Sequence, residues 1–211
     1  MTSITHHIPE ELLIAYASGN LASAFALAVA THVSMCDDCR ARLGAHEELG
    51  GALLEEQAAQ AVSGDLKTRL FDALDAPVVA EKTHARSGIF PAPVMEALGG
   101  LPPKWTSLGL GVRQMILSHD RSGSARLLYI PGGMGVPDHG HNGLELTLVL
   151  QGAFRDETGR YGVGDLEVAT GDLEHEPVAE EGPACICLAA TDAALRFRSF
   201  LPRLLQPIFR I

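Results

Sequence analysis

A histidine and two cysteines lie within eight consecutive positions of the segment ATHVSMCDDCRAR. His32, Cys36 and Cys39 are spaced i, i+4 and i+7, so a continuous helix would place them on one face. If the helix breaks between the two cysteines, a Cys-x2-Cys turn still brings both sulfurs within reach of one ion. Zinc prefers thiolate and imidazole ligands in a tetrahedral set of four. The spacing therefore predicts three ligands of a zinc site.

The fourth ligand of this site must come from elsewhere in the chain. The nearest candidates are His6 and His7, which precede the first predicted helix. Metal capture by either histidine would tie the N-terminus to the helices, and metal affinity would then contribute to folding. Two interpretations compete with a zinc site at these positions. One is a buried histidine with two core cysteines, and the other is a redox-active cysteine pair. The redox pair lacks the βαβ context that such motifs have.

The first third of the chain reads as four helices. The first begins at Pro9 and stops before Gly19-Asn20, the second spans about 21–35, and the third runs from about 37 to 60. The fourth lies in SGDLKTRLFDALDAP, whose apolar residues form one stripe; they are Leu66, Leu70 and Leu74, with Phe71 beside them. This stripe is either a partner-binding face or a face that packs on its own domain.

The rest of the chain changes character twice. Residues 77–103 are rich in proline, glycine and alanine without a sustained period, which predicts a linker. After Trp105, short β-rich segments such as ARLLYIP, LELTLVL and ACICLAA alternate with glycine-rich and aspartate-rich turns. Many short strands separated by turn signals indicate a barrel or a sandwich.

A second group of possible metal ligands lies in the segment PDHGHNGLEL. His139 and His141 are two residues apart, so a strand would point both side chains to one face. The alternation of LELTLVL places Glu145 on the inner face, where a buried carboxylate needs a cation or another partner. His175 supplies a fourth ligand from a later segment. A set of three histidines and one glutamate suits zinc, iron, manganese or nickel.

Two further cysteines lie in ACICLAA. Cys185 and Cys187 are two residues apart and share one face of a strand. They are either ordinary core residues or oxidisable thiols beside the second metal site.

Charge and hydropathy limit the possible partners and compartments. The formal net charge is −10, and residues 1–76 carry eleven acidic against four basic residues. This acidity argues against direct nucleic-acid binding, which needs a basic surface, and an acidic helical surface suits a basic protein partner. The sequence shows no run of 18 apolar residues and no signal peptide. We therefore expect a cytoplasmic protein that does not enter a membrane.

The His-x3-Cys-x2-Cys pattern on a short, acidic, four-helix region resembles the zinc-binding anti-sigma domain. Members of that family bind extracytoplasmic-function (group IV) sigma factors and keep them from core RNA polymerase. The resemblance implies zinc ligands at His32, Cys36 and Cys39 and at an upstream histidine. We expect His7 to be that histidine, with His6 as the alternative. It also implies that the fourth helix embraces the sigma factor through its leucine stripe.

The second group of ligands resembles the two motifs of the cupin family, a small jelly-roll barrel with a central metal. The first motif matches at its fixed positions from Gly133 to Gly152, and the second departs from the pattern at Thr170, where proline is usual. The resemblance implies that the metal ligands are His139, His141, Glu145 and His175.

The two halves together resemble the ChrR family of anti-sigma factors. We therefore expect an α+β protein with a zinc-binding four-helix domain over 1–76, a linker over 77–103 and a cupin sensor domain over 104–211. The resemblance implies a regulator, not an enzyme, that releases its sigma factor under singlet-oxygen or organic-peroxide stress. The alternative is a metal-dependent cupin enzyme, such as a dioxygenase, with an accessory zinc module.

Overall fold

The fold is described from a computed structural model over residues 3–75, 77, 82–135, 139–140, 143–171, 174–193 and 196–197. Residues 139–140, 174–175 and 196–197 are described by their backbone alone. Within these ranges the chain forms five helices followed by twelve short strands. The helices are α1 (Glu10–Ala17), α2 (Ser23–Val33), α3 (Asp37–Glu55), α4 (Leu66–Leu74) and α5 (Ala92–Ala97).

The helix boundaries follow local sequence signals. Pro9 precedes α1, and acidic residues fill the first turn of both α1 and α3, where they complement the positive end of the helix dipole. Gly19 lies just after the end of α1 with a φ of 70°, a conformation that glycine adopts without a steric penalty. The third helix ends at Glu55, earlier than the sequence predicts, and residues 56–65 are exposed.

The C-terminal strands form a six-stranded antiparallel sheet and two small sheets. The six-stranded sheet has the order β1-β2-β3-β11-β5-β8, and the small sheets have the orders β10-β6-β7 and β12-β4-β9. The strands are β1 (Thr106–Gly109), β2 (Val112–Asp120), β3 (Gly123–Ile130), β4 (His139–Gly140), β5 (Glu145–Gln151), β6 (Ala153–Arg155), β7 (Arg160–Gly162), β8 (Leu166–Ala169), β9 (Glu174–His175), β10 (Val178–Ala179), β11 (Cys185–Thr191) and β12 (Arg196–Phe197).

Helix α2 lies between the other N-terminal helices and the six-stranded sheet. It contacts α1, α3 and α5 as well as β3, β5 and β11. Six of its eleven residues are buried, which explains its nearly uniform apolar character. One hydrophobic core therefore runs from α1 through α2 into the sheet, where it includes Leu127, Leu146, Leu148 and Leu188.

The two faces of the six-stranded sheet bury different residues. Along β5, Leu146, Leu148 and Leu150 face the helical core. The alternate residues, Glu145 and Val149 among them, face the other way, because successive side chains of a strand point to opposite sides. Val149 belongs to a second apolar cluster together with Phe154, Tyr161, Cys185 and Cys187. We call this side of the sheet the concave face.

The remaining helices differ in how they pack. Helix α5 lies within the predicted linker and packs on α2 through buried Val94 and Met95. Helix α4 has no buried residue. None of the helices in the described part of the chain has the length and apolar character that crossing a bilayer requires.

Candidate functional site: the N-terminal His-Cys cluster

Four side chains from three parts of the helical region converge on one point. His7 lies in the extended segment before α1, and His32 lies in the last turn of α2. Cys36 precedes the first residue of α3, and Cys39 lies in its first turn. One ligand atom from each residue lies within 4.8 Å of all the others. The structure therefore brings together the three residues that the spacing singled out and the preferred upstream histidine.

The arrangement has the donor types and separations of a zinc site. The Nδ1 atom of His7 lies 3.3 Å from the Cys36 Sγ and 3.7 Å from the Cys39 Sγ. The rings of His7 and His32 are nearly perpendicular, with centroids 6.3 Å apart. The other ring nitrogen of His7 lies 4.0 Å from a carboxylate oxygen of Asp38, and such an outer carboxylate commonly orients a metal-bound imidazole. Two thiols and two imidazoles form a donor set that zinc prefers.

His32 gives a further sign that the cluster fits a metal ion. The residue is completely buried, and neither of its ring nitrogens makes a hydrogen bond of normal geometry to the described residues, although the Gly164 main chain lies close enough to act against the lowering of its pKa. Burial, and next the neighbouring His7 ring, lower the pKa of His32 to about 4, so the ring is neutral at pH 7. A buried polar atom without a partner is costly, and a neutral imidazole nitrogen can donate its lone pair to a metal.

The cysteines of the cluster are buried and not joined in a disulfide. Burial raises the pKa of the Cys39 thiol, and the adjacent Cys36 raises it further, whereas the hydrogen bond from the Ile8 main chain and the nearby Arg42 act in the opposite direction. Because thiolates bind zinc and thiols do not, metal binding here must displace protons.

A charged network, which the sequence analysis did not identify, borders the cluster. Arg42 donates a hydrogen bond of 3.1 Å to the carbonyl of Ile8, and the same nitrogen lies 4.0 Å from the Cys39 Sγ. Its guanidinium also pairs with Glu10, which accepts a 2.6 Å hydrogen bond from His46. The sequence carries only a weak sign of this network. Arg42 and His46 lie four residues apart on α3, but their shared partner Glu10 is distant in sequence. The network holds the main chain directly after His7.

The other N-terminal histidine faces away from the cluster. The ring of His6 packs against that of Tyr161 at a tilt of 40°, with centroids 4.4 Å apart. Its Nδ1 atom lies 3.5 Å from Asp165. His6 therefore contacts the β-domain, and the adjacent His7 contacts the cysteines.

The predicted ligands of the second metal site are only partly described. The backbones of His139 and His175 lie opposite each other in the β4–β9 pairing, which is compatible with a shared site. His141 lies outside the described residues. Glu145 is buried at the start of β5, and the Thr147 hydroxyl donates a 3.2 Å hydrogen bond to it. The four positions stay a prediction.

The concave face carries more buried polar residues than the sequence analysis identified. Arg126 donates hydrogen bonds to the Gln114 side chain at 3.2 Å and to the Ser124 hydroxyl at 2.8 Å. Glu167 is also buried and lies opposite Thr147 in the β5–β8 register. The signal that could have identified Arg126 and Glu167 is strand alternation, since each is a charged residue at an inward position of a short apolar strand.

Cys185 and Cys187 lie in the apolar cluster of the concave face. Both are buried, and their sulfurs are 3.4 Å apart. The neighbouring Cys185 thiol and complete burial raise the pKa of Cys187 well above its usual value. Cys187 therefore stays a thiol at neutral pH, and a protonated thiol reacts slowly. Both are core residues, and they share the strand face of Glu145.

The apolar stripe of α4 is largely exposed in the part of the chain that the structure describes. Leu70, Phe71 and Leu74 expose 57%, 59% and 76% of their surface, and Leu66 is partly buried. The C-terminal half of α3 exposes three further leucines; they are Leu49, Leu53 and Leu54. Apolar side chains exposed along two successive helices form the kind of surface that a protein partner covers.

A β-domain packed on helices that carry a His2Cys2 cluster able to hold a metal ion defines a class of two-part proteins. The family model described as the ChrR cupin-like domain matches residues 102–194. Over 99% of its length the chain is 54% identical to the anti-sigma-E factor ChrR of Cereibacter sphaeroides, all of which it covers.

The similarity to a ChrR protein extends from the sequence to the fold. A crystal structure of Rhodobacter sphaeroides SigE in complex with the anti-sigma ChrR matches with a TM-score of 0.81 and 53% identity. The match covers 90% of this chain and all of that one. The chain belongs to the ChrR family of anti-sigma factors.

Proposed function

We propose that this protein is an anti-sigma factor that binds an extracytoplasmic-function sigma factor in the cytoplasm and keeps it from core RNA polymerase. The observation that carries the proposal is the match, in sequence and in fold, to a ChrR protein in complex with SigE. The role is regulatory and not catalytic. The sigma-binding part is the helical region over 1–76.

The exposed surface of α3 and α4 supports a mechanism in which the helical region covers the binding surfaces of the sigma factor. The leucine stripe of α4 and the exposed leucines of α3 are available before any partner binds. The surrounding region is acidic, so it suits the basic surfaces through which a sigma factor contacts DNA and polymerase. Burying these side chains against the sigma factor would contribute roughly 1.5–3 kcal/mol for each large apolar residue.

The N-terminal cluster supplies the rigidity that this surface needs. His7, His32, Cys36 and Cys39 would hold a zinc ion, which joins the N-terminal segment to α2 and α3. Zinc supplies folding energy to such small helical regions when it is bound. The helical region buries few large side chains of its own, so this energy is a substantial part of its stability.

The cupin-like domain is proposed to control release of the sigma factor. His139, His141, Glu145 and His175 would hold a second metal, which is zinc, iron, manganese or nickel by donor type. The signal is singlet oxygen or an organic hydroperoxide. Glu145 is the member of this set whose side chain is described, and its burial on the concave face supports the proposal.

An inhibition assay tests the sequestration directly. Transcription by core polymerase with an extracytoplasmic-function sigma factor from the same genome should fall at least about 10-fold when one equivalent of the full chain is added, since a binding constant well below micromolar leaves little free sigma factor. Transcription with the housekeeping sigma factor is the control and should not change. Equal transcription with and without the chain would contradict the proposal.

A separate prediction concerns the release of the sigma factor under stress. We expect Glu145→Ala and His141→Ala to bind the sigma factor as the wild type does but to block release under singlet oxygen, because each removes one ligand of the sensor metal. The measurement is the activity of a sigma-dependent reporter before and after the stress. Glu176→Ala is the matched control, since Glu176 is exposed. A normal stress response in both ligand variants would exclude a metal role in signalling.

A further inference from the structure

The segment that carries His7 is bound by a turn of the cupin-like domain. One carboxylate oxygen of Asp165 accepts hydrogen bonds from the main-chain N–H groups of Thr5 at 2.7 Å and His6 at 2.9 Å. The other oxygen accepts the Gly162 N–H at 2.8 Å within the turn itself. The His6 carbonyl in turn accepts the Leu166 N–H at 3.2 Å. Asp165 is buried, so these hydrogen bonds are sheltered from water.

Side-chain packing reinforces the main-chain contacts. Ile4 lies directly over Gly164, where a Cβ atom would come within 2.5 Å of the Ile4 side chain. Gly164 also has a φ of 92°, which other residues adopt only with strain. On the other side of the turn, the His6 ring packs against Tyr161. Residues 4–6 thus follow the turn between β7 and β8 closely.

The next residue along the chain is the zinc ligand His7. Its other flank is held from the helical side, since Arg42 binds the carbonyl of Ile8. His7 is therefore fixed between one contact from the cupin-like domain and one from α3. A metal ligand in an extended segment has no helix or strand of its own to fix its position, so these flanking contacts determine where its ring lies.

We propose that the turn Gly162–Asp165 is a positioning element for the N-terminal metal site, and that through it the cupin-like domain determines how firmly that site retains its ion. The proposal rests on the metal-binding role of the cluster stated above. It also supplies a physical path between the domains, because Asp165 lies two residues before Glu167 of the concave face. A rearrangement around Glu145 and Glu167 that moved the start of β8 would pull on the segment that carries His7.

Cobalt-loaded full-length protein provides a specific test. Cobalt bound to cysteine thiolates absorbs strongly in the near ultraviolet, and among the described residues the N-terminal cluster is the one group of metal-ligating side chains that contains cysteines, so the loss of this absorption to excess EDTA follows that site. We expect Asp165→Asn to speed this loss about 10-fold or more, the size of effect that outer contacts of metal ligands have. Ile4→Ala should act in the same direction without altering the cupin-like domain.

A matched control and an independent measurement complete the design. Asp120 also caps a turn of the β-domain, through the Ser122 N–H, and accepts a hydrogen bond from Ser23 of α2, so Asp120→Asn should not change cobalt loss. Hydrogen exchange of the Thr5 and His6 amides, measured on each protein, should be slow in the wild type and faster in Asp165→Asn.

The outcomes separate the two proposals. Faster cobalt loss in Asp165→Asn and Ile4→Ala, with unchanged loss in Asp120→Asn, supports the positioning role. Unchanged loss in both test variants, or unprotected Thr5 and His6 amides in the wild type, overturns it while the metal site stands. A wild type that shows no cobalt–thiolate absorption overturns the metal site itself, and the protection of the Thr5 and His6 amides still reports whether the contact exists.

Discussion

Replacing His7 by alanine is expected to remove the metal from the N-terminal cluster and to release the sigma factor, whereas the same change at His6 removes no ligand and should leave the metal and the sigma factor bound, with at most a faster exchange of the ion. The two histidines are adjacent in sequence, but only the His7 ring reaches the cysteines, at 3.3 Å and 3.7 Å. The His6 ring lies on Tyr161. The pair therefore provides a matched comparison within two residues.

The expected effect is large because ligand loss removes folding energy. We expect His7→Ala and Cys36→Ser to lower sigma affinity at least about 100-fold, or roughly 2.7 kcal/mol, since the surface of α3 and α4 depends on a region that the ion holds together. The measurements are zinc content, helical circular dichroism and sigma binding on the same samples. Full binding by metal-free Cys36→Ser protein would contradict the structural role of the cluster.

The second large effect is expected on α4. Leu70→Asp combined with Leu74→Asp should reduce sigma binding roughly 30-fold or more, because each change removes an apolar contact and buries a carboxylate in the interface. Both leucines are exposed in the free protein, so the melting temperature of the variant alone should match that of the wild type.

A variant on the polar side of the same helix is the control for α4. Thr68→Asp adds a charge about half a turn away from the stripe and should leave the affinity nearly unchanged. If the double leucine variant binds as tightly as the wild type, α4 is not part of the interface. If Thr68→Asp weakens binding equally, the effect comes from charge and not from the apolar stripe.

The His-Cys cluster could be predicted largely from local sequence, because the Cys-x2-Cys spacing and the nearby His32 mark it, although the continuous helix that the spacing suggested is broken: α2 ends at Val33 and α3 begins at Asp37. His32, Cys36 and Cys39 lie together because one helix ends and the next begins between them. The choice between His6 and His7 could not be made from spacing, since Tyr161 and Asp165 decide it from about 155 residues further along the chain. Tertiary contacts of this kind leave no local pattern.

The sequence was sufficient to predict the kinds of secondary structure in each domain, but not how the helices pack on the sheet. Strand alternation identified β3, β5, β8 and β11 and placed Glu145 on the inner face, where the structure has it. The same alternation applied to Arg126 and Glu167 would have extended the polar cluster of the concave face. The docking of α2 on the sheet was not predicted, because a short apolar helix gives no indication of which second surface covers it.

The most direct test of the central claim is co-purification of the full chain with an extracytoplasmic-function sigma factor from the same genome, with metal content measured on the complex. The account predicts a stable complex that retains zinc bound through Cys36 and Cys39, and that dissociates when these cysteines are replaced by serine. A chain that carries zinc and is folded, yet forms no complex with any such sigma factor of that genome, would contradict the account.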